Sequence, residues 1–168
     1  LKLKIQKFQL KGPDLECKLP ILCESLLSKA NYKLNPSTTR IIDLSLNEVD
    51  LKTTLRKSYH SLINWGLNKM EIAIYDNSNI RWEIIEEFRD LHMKEAKRET
   101  RSIDTWRKQY DAIANGLAFC ITAKLEDELV SAAYFLCPDK ICYYGSSASR
   151  RDLFDKPLSH AIIWKALL

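Results

Sequence analysis

The chain has 168 residues, 46% of them hydrophobic and 29% charged, which is material for one globular domain with a sizeable core. Its formal charge of +4, from 26 Lys and Arg against 22 Asp and Glu, excludes the strongly basic balance of a dedicated nucleic-acid binder and leaves room for an anionic ligand. Four glycines and five prolines exclude a long flexible linker, and no run of about 18 apolar residues is present to span a bilayer.

At the start of the chain LKLKIQKFQL alternates apolar and polar residues, which predicts a half-buried strand closed by Gly12-Pro13. Its lysines Lys2, Lys4 and Lys7 read as a solvated face. Leu19, Leu22 and Leu26, with Ile21 and Leu27, predict a helix over 19–32, and Asn35-Pro36-Ser37 breaks the chain again. Residues 1–38 are therefore set apart as an N-terminal strand and helix segment, and 39–168 as the main domain. In that domain TRIIDL, Thr39 to Leu44, predicts a short strand. Ser45 or Asn47 can then cap a helix with Glu48 and Asp50 in its first turn and an apolar stripe of Leu51, Leu55, Tyr59 and Leu62. Its opposite face, with Arg56, Lys57 and His60, is either a solvated surface or a cradle for an anion.

MEIAIY, Met70 to Tyr75, predicts a strand, and a helix is expected from about Ile80 to Lys97 with Ile84, Ile85, Phe88, Leu91 and Ala96 inward. His92 falls on that inward side, as a satisfied buried side chain or as a catalytic group. Arg98 and Arg101 lie in the loop entering the next helix, 103–115, which carries Trp106. They can hold a phosphate or carboxylate by paired hydrogen bonds, or staple the two helices together. After Gly116 comes a meander of strands over 117–125, 128–136 and 140–147, whose short connections force antiparallel neighbours. Residues 129–136 are apolar on both faces and predict a central strand. Tyr143, Tyr144, Ser146 and Ser147 surround Gly145 at a strand end, where a small residue lets a ligand approach the backbone. Arg150, Arg151 and Lys156 then lead into an almost wholly apolar helix that Pro157 can open at its first turn. These groups form either an anion seat or an ordinary surface turn. The pattern as a whole predicts an α+β domain around a mixed, largely antiparallel sheet flanked by helices.

The five cysteines, Cys17, Cys23, Cys120, Cys137 and Cys142, show no C-x-x-C spacing and read as reduced, core-filling thiols of a cytoplasmic protein. His60, His92 and His160 lie far apart with no zinc-type spacing, so no metal site is expected. There is no G-x-S-x-G, H-E-x-x-H, G-x-G-x-x-G or phosphate loop.

Three segments carry a resemblance: IIDLSLNEVDLKTTLRKSYHSLINWG, FRDLHMKEAKRETRSIDTWRKQYDAIANGLAFCITA, and LVSAAYFLCPDKICYYGSSASRRDLFDKPLSHAIIWKAL. Over roughly residues 40 to 168 the chain resembles FemAB-type acyltransferases, relatives of the GCN5-related N-acetyltransferase (GNAT) fold that serve as bridge-forming aminoacyl transferases and in surface-polysaccharide pathways. The resemblance implies a GNAT-like sheet and an N-acyltransferase or aminoacyltransferase. Its activated acyl or aminoacyl donor would serve an amine on an envelope precursor, sugar nucleotide or glycan. Catalytic groups are then expected among Tyr143, Tyr144, Ser146 and His92. Donor or substrate binding is expected at Arg98, Arg101, Trp106, Gly145, Ser147, Arg150, Arg151 and Lys156. No tightly bound cofactor is expected, and the donor is aminoacyl-tRNA or an acyl-CoA. The loop Ser146 to Lys156 lacks the R/Q-x-x-G-x-G/A pattern with which acetyltransferases hold coenzyme A, which favours a donor other than acetyl-CoA and admits tRNA as a partner. The strands expected after the last helix are missing, so the domain is expected to be incomplete at its C-terminus. The alternative from another class is a catalytically inactive GNAT-like module that binds a glycan, an RNA or a protein.

Overall fold

A computed structural model describes residues 41–168; the strand and helix predicted within 1–38 lie outside the described residues. The predicted strand Thr39 to Leu44 is corrected where it can be seen. Residues 41–43 have no regular structure and 44–46 form a turn, because Ser45 donates from both its N–H and its hydroxyl to the Asp43 carboxylate, at 2.9 and 2.7 Å. Helix capping falls to Asn47, whose Oδ1 accepts from the Asp50 N–H at 3.0 Å. This opens α1, Glu48–Thr54. The single helix predicted from the apolar stripe is two, since Leu55 is extended and the chain restarts as α2, Lys57–Lys69. The His60 ring donates from Nε2 to the Lys52 carbonyl at 3.0 Å and ties the two helices across the break.

Strand β1, Glu71–Tyr75, leads through an Asp76 turn to α3, Trp82–Ala96, and α4, Ile103–Ala114. Helix α4 ends in a paired-bond cap: the Gly116 N–H reaches the Ile113 carbonyl and the Leu117 N–H reaches the Ala112 carbonyl, both at 2.9 Å. Gly116 sits there at φ +72°, the left-handed geometry that glycine adopts without cost. The meander follows as β2, Ala118–Leu125, β3, Glu128–Leu136, and β4, Tyr143–Ser149. Glu126 and Asp127, at φ 52° and 65°, turn β2 into β3 in a two-residue connection whose twist matches the strands. A short 3-10 turn, Arg151–Leu153, precedes α5, Leu158–Leu167.

The strand order is β1-β2-β3-β4, and each described pairing is antiparallel. Strand β3 is interior, with Val130 to Phe135 all buried, so its uninterrupted apolar run marks a strand covered on both faces. On one face Cys120, Ala132, Tyr134 and Ala148 pack against Ile85, Phe88 and Leu91 of α3 and Trp106 and Ile113 of α4. On the other, Ile121, Ala123, Ala133 and Phe135 pack against Leu158, Ala161 and Ile162 of α5. A third cluster, Leu51, Ile63 and Trp164, holds α1 and α2 to the outer side of α5. Full burial of one such side chain contributes roughly 1.5–3 kcal/mol, so these two layers stabilise the sheet from both faces. Helix α5 is less completely enclosed than its composition predicts, since Ile163 remains 38% exposed and Lys165 is in solvent. No helix among the described residues is long and apolar enough to cross a membrane.

Candidate functional site

Strand β4 is irregular at one place, and the irregularity is Gly145. Tyr134 faces Ser146 and Phe135 faces Tyr144, which leaves Gly145 as an extra residue on β4 opposite the step between two consecutive residues of β3. A β-bulge of this kind bends its strand, leaves one residue outside the ladder and re-aims the neighbouring side chains. The residue is glycine because of close approach: a Cβ at Gly145 would lie 2.9 Å from Cδ1 of Tyr134. The Tyr134 ring therefore lies directly against the bulge.

On the N-terminal side of the bulge, Tyr143 and Tyr144 point to opposite faces and are 40% and 53% exposed. Tyr144 tilts against Phe135, with ring centroids 5.4 Å apart, and Phe135 stacks on Phe119 at 4.9 Å, an aromatic row across three strands. On the C-terminal side Ser146 turns inward, 6% exposed, toward α4. Gln109 approaches it there, its Nε2 donating to the Ser146 Oγ at 3.5 Å while its buried Oε1 has no partner among the described residues. Exchanging the amide's O and N would satisfy the serine equally well and leave the nitrogen orphaned instead. Either way one buried amide atom awaits a partner beside Ser146. Ser147 points to the opposite face of the strand and is half-buried.

The basic segment folds back on itself. Arg101 donates to Nε2 of His92 at 2.8 Å and lies 5.9 Å from the Trp106 ring, while Thr100 Oγ1 meets Nδ1 at 3.1 Å. A guanidinium can only donate, so Nε2 must be the bare nitrogen and Nδ1 carries the proton toward Thr100. Burial, with the Arg101 charge beside it, pushes the His92 pKa below its ordinary value, which keeps the ring neutral. The ring also packs edge-on against Trp106, centroids 5.5 Å apart. His92, Arg101 and Trp106 are thus brought together as a bridge from α3 to α4, and Arg98 is exposed in the connection between them.

Beyond β4 the cations have individual fates. Arg150 is clamped by the carboxylates of Glu128 and Asp152, and the arginine's hydrogen bonds hold the Asp152 pKa below its ordinary range. Arg151 anchors the loop to α3 through its backbone N–H, which donates to Glu95 Oε2 at 2.9 Å, and its side chain is exposed. Lys156 lies 3.5 Å from Asp155 and lines a groove of about 430 Å³ with Ser61, Leu62, Trp65 and Pro157, where the loop meets α2. Three of the loop's donors are spent internally: the N–H groups of Phe154, Lys156 and Leu158 bond to the carbonyls of Arg151, Leu153 and Lys156 at 2.9 to 3.2 Å.

The sequence-predicted residues therefore fall into three places: the bulge with Tyr143, Tyr144, Gly145 and Ser146, the bridge with His92, Arg101 and Trp106, and the loop with Arg150, Arg151 and Lys156. Gln109 and Tyr134 are the additions at the bulge. Gln109 had a signal, since it is a polar residue three places after Trp106 and four before Ile113, on the stripe that both bury. Among the described residues no cluster of His, Cys, Asp or Glu is arranged to hold a metal ion.

No family model and no curated protein matches this sequence. Among solved structures, the crystal structure of FemX matches with a TM-score of 0.58 at 13% sequence identity, covering 74% of this chain and 47% of that one. The chain thus spans about half the length of FemX. At this identity the match establishes architecture: a four-stranded antiparallel sheet with helices on both faces, in a GNAT-like fold shared with FemX.

Proposed function

We propose that this chain transfers an acyl or aminoacyl group to an amine, with the bulge of β4 as the reacting centre and an amine-bearing envelope precursor, sugar nucleotide or glycan as acceptor. The observation that carries the reading is the Gly145 bulge in a GNAT-like sheet, beside an orphaned buried amide on Gln109. An amine attacking an acyl carbonyl places negative charge on the carbonyl oxygen, and a backbone N–H outside the ladder is a fixed donor for it. With Nε2 turned to Ser146, the unpartnered Oε1 of Gln109 can accept from the attacking N–H and fix the amine's approach. Tyr143, half-exposed on the same face of β4 as Ser146, offers a hydroxyl where the leaving group must regain a proton, while Tyr144 lies on the opposite face against Phe135. The likeness in fold to FemX and the sequence resemblance to FemAB-type acyltransferases support the same chemistry.

For the donor we favour aminoacyl-tRNA or another activated acyl compound over acetyl-CoA. A pyrophosphate needs several backbone N–H groups converging on it, and in the loop before α5 those of Phe154, Lys156 and Leu158 turn onto carbonyls of their own turns. Arg151, exposed beside this loop, supplies charge for a phosphate backbone. The rival reading, a binding module without catalysis, draws on the extent to which His92, Arg101 and Arg150 satisfy one another or nearby carboxylates.

Titration calorimetry separates these. Coenzyme A is expected to bind weakly or not at all, and charged tRNA to bind in a manner that weakens as salt rises. Replacing Gln109 with Leu should lower acyl transfer by about tenfold or more, the effect of losing one positioned hydrogen bond of roughly 1.5 kcal/mol, with the thermal midpoint unchanged or raised. Tight coenzyme A binding, or full transfer by Gln109→Leu, would overturn the respective assignments.

A further inference from the structure

We propose that Cys137 and Cys142 form a dithiol site that closes to a disulfide by exchange with a low-molecular-weight disulfide such as oxidised glutathione. The site stands on strand register and does not depend on the transferase reading. Leu136 and Tyr143 are the last paired residues of the β3–β4 hairpin, so Cys137 and Cys142 are the next residues facing each other across it. The Cys137 N–H is turned away from β4, donating to the Leu117 carbonyl at 2.7 Å on the β2 side. With respect to β4 this is the geometry of a non-hydrogen-bonded pair, in which Cα atoms approach to about 4.5 Å and side chains lie closest. A disulfide spans Cα separations of roughly 4.4–6.8 Å, so the bridge needs little or no backbone movement.

Both thiols are on one face, in the column that continues the Phe135–Tyr144 pair, and Cys142 packs against that face's core. They interact with each other: burial first, then the hydrogen bond to Cys137, pushes the Cys142 pKa up to about 12. Cys120, the remaining described cysteine, is fully buried on β2, out of reach of a disulfide in solution. Cys137 and Cys142 are both half-buried and reachable at the exposed turn of residues 138–141.

The steps balance. The Cys137 thiol loses its proton and attacks one sulfur of oxidised glutathione, forming a mixed disulfide and releasing one glutathione thiolate, which takes up a proton. Cys142 then loses its proton and attacks the Cys137 sulfur, forming the protein disulfide and releasing a second glutathione. Two protein thiols are oxidised and one glutathione disulfide is reduced to two thiols. The bond would pin the start of β4, directly beside Tyr143 and Tyr144.

A tryptic map tests this, because Lys140 lies between the two cysteines. After incubation of the whole chain with oxidised glutathione and alkylation of remaining thiols, the peptides Leu125–Lys140 and Ile141–Arg150 should appear joined without reductant and separate with it. Cys137→Ser and Cys142→Ser should each abolish the joined species and leave the other cysteine alkylated or carrying glutathione. The proposal is overturned if the wild-type peptides are only alkylated, if both cysteines carry glutathione without joining, or if either is bridged instead to Cys17, Cys23 or Cys120.

Discussion

His92 shows what a single residue contributes. Its two ring nitrogens are committed to Arg101 and Thr100, so the neutral ring is a fitted part of the bridge between α3 and α4. In the unfolded chain an imidazole takes up a proton near its ordinary value of 6.5, whereas in the folded chain the pKa is lower. Between those two values the unfolded state binds the proton and the native state does not, so stability is full above pH 6.5 and is lost as pH falls through that window. The unfolding midpoint in urea should therefore decline as pH falls below about 6.5. His92→Gln, which cannot titrate, should flatten that decline; an identical pH profile for both proteins would show that His92 does not titrate on unfolding. Asp152, held low by Arg150, acts with the same sign in a more acid window: its contribution is present above its unfolded value near 3.8 and is lost as pH falls below it. At this scale the sequence was only partly legible. The inward side of α3 placed His92 among its apolar neighbours, but the partners that settle its tautomer come from a loop eight and nine residues away. Gln109 stood out as a polar residue on a buried stripe, but its partner Ser146 lies 37 residues further on, where spacing along the helix does not reach.

Elements were more legible where burial is complete. The run from Val130 to Phe135 has one physical explanation, a strand with protein on both faces, and β3 is that strand. Periodicity was misleading where the apolar stripe continued through a break: Leu51, Leu55, Tyr59 and Leu62 keep helical spacing although Leu55 is extended between α1 and α2. The break is bridged by a contact from the His60 ring to the Lys52 carbonyl, eight residues back, that spacing cannot reveal. Gly66 makes the packing of α2 on α5 testable. A Cβ there would lie 2.5 Å from the Ala161 Cβ, and since both positions are fixed by helix backbone the helices must move apart. Overpacking costs about 1–3 kcal/mol and the better helix propensity of alanine returns up to about 1 kcal/mol. Gly66→Ala should therefore destabilise by up to about 2 kcal/mol in denaturant melts, and Gly66→Ala with Ala161→Gly should recover part of the loss. A stabilised single variant would mean that the two helices can separate without cost.

For the whole molecule, the order of strand, two helices, meander and helix set the GNAT-like architecture, and that order was readable from turn residues and connection lengths. The proposed site was less readable because it rests on one irregularity, a bulge whose glycine is required by the Tyr134 ring and not by its own backbone angle. If the loop after β4 serves a polyphosphate chain such as tRNA, log affinity should fall linearly with log salt, and Arg151→Ala should reduce the slope by about one contact. An unchanged slope would remove Arg151 from the donor site. The most direct measurement is the mass gained by an amine acceptor, such as an amino sugar or a lysine-bearing muropeptide, incubated with this chain and either charged tRNA or acetyl-CoA. The account predicts addition of the aminoacyl residue from charged tRNA, greatly reduced in Gln109→Leu and absent without protein. An acetyl mass gained from acetyl-CoA with none from tRNA would contradict the assigned donor, and no gain from these or other activated acyl donors would contradict acyl transfer itself.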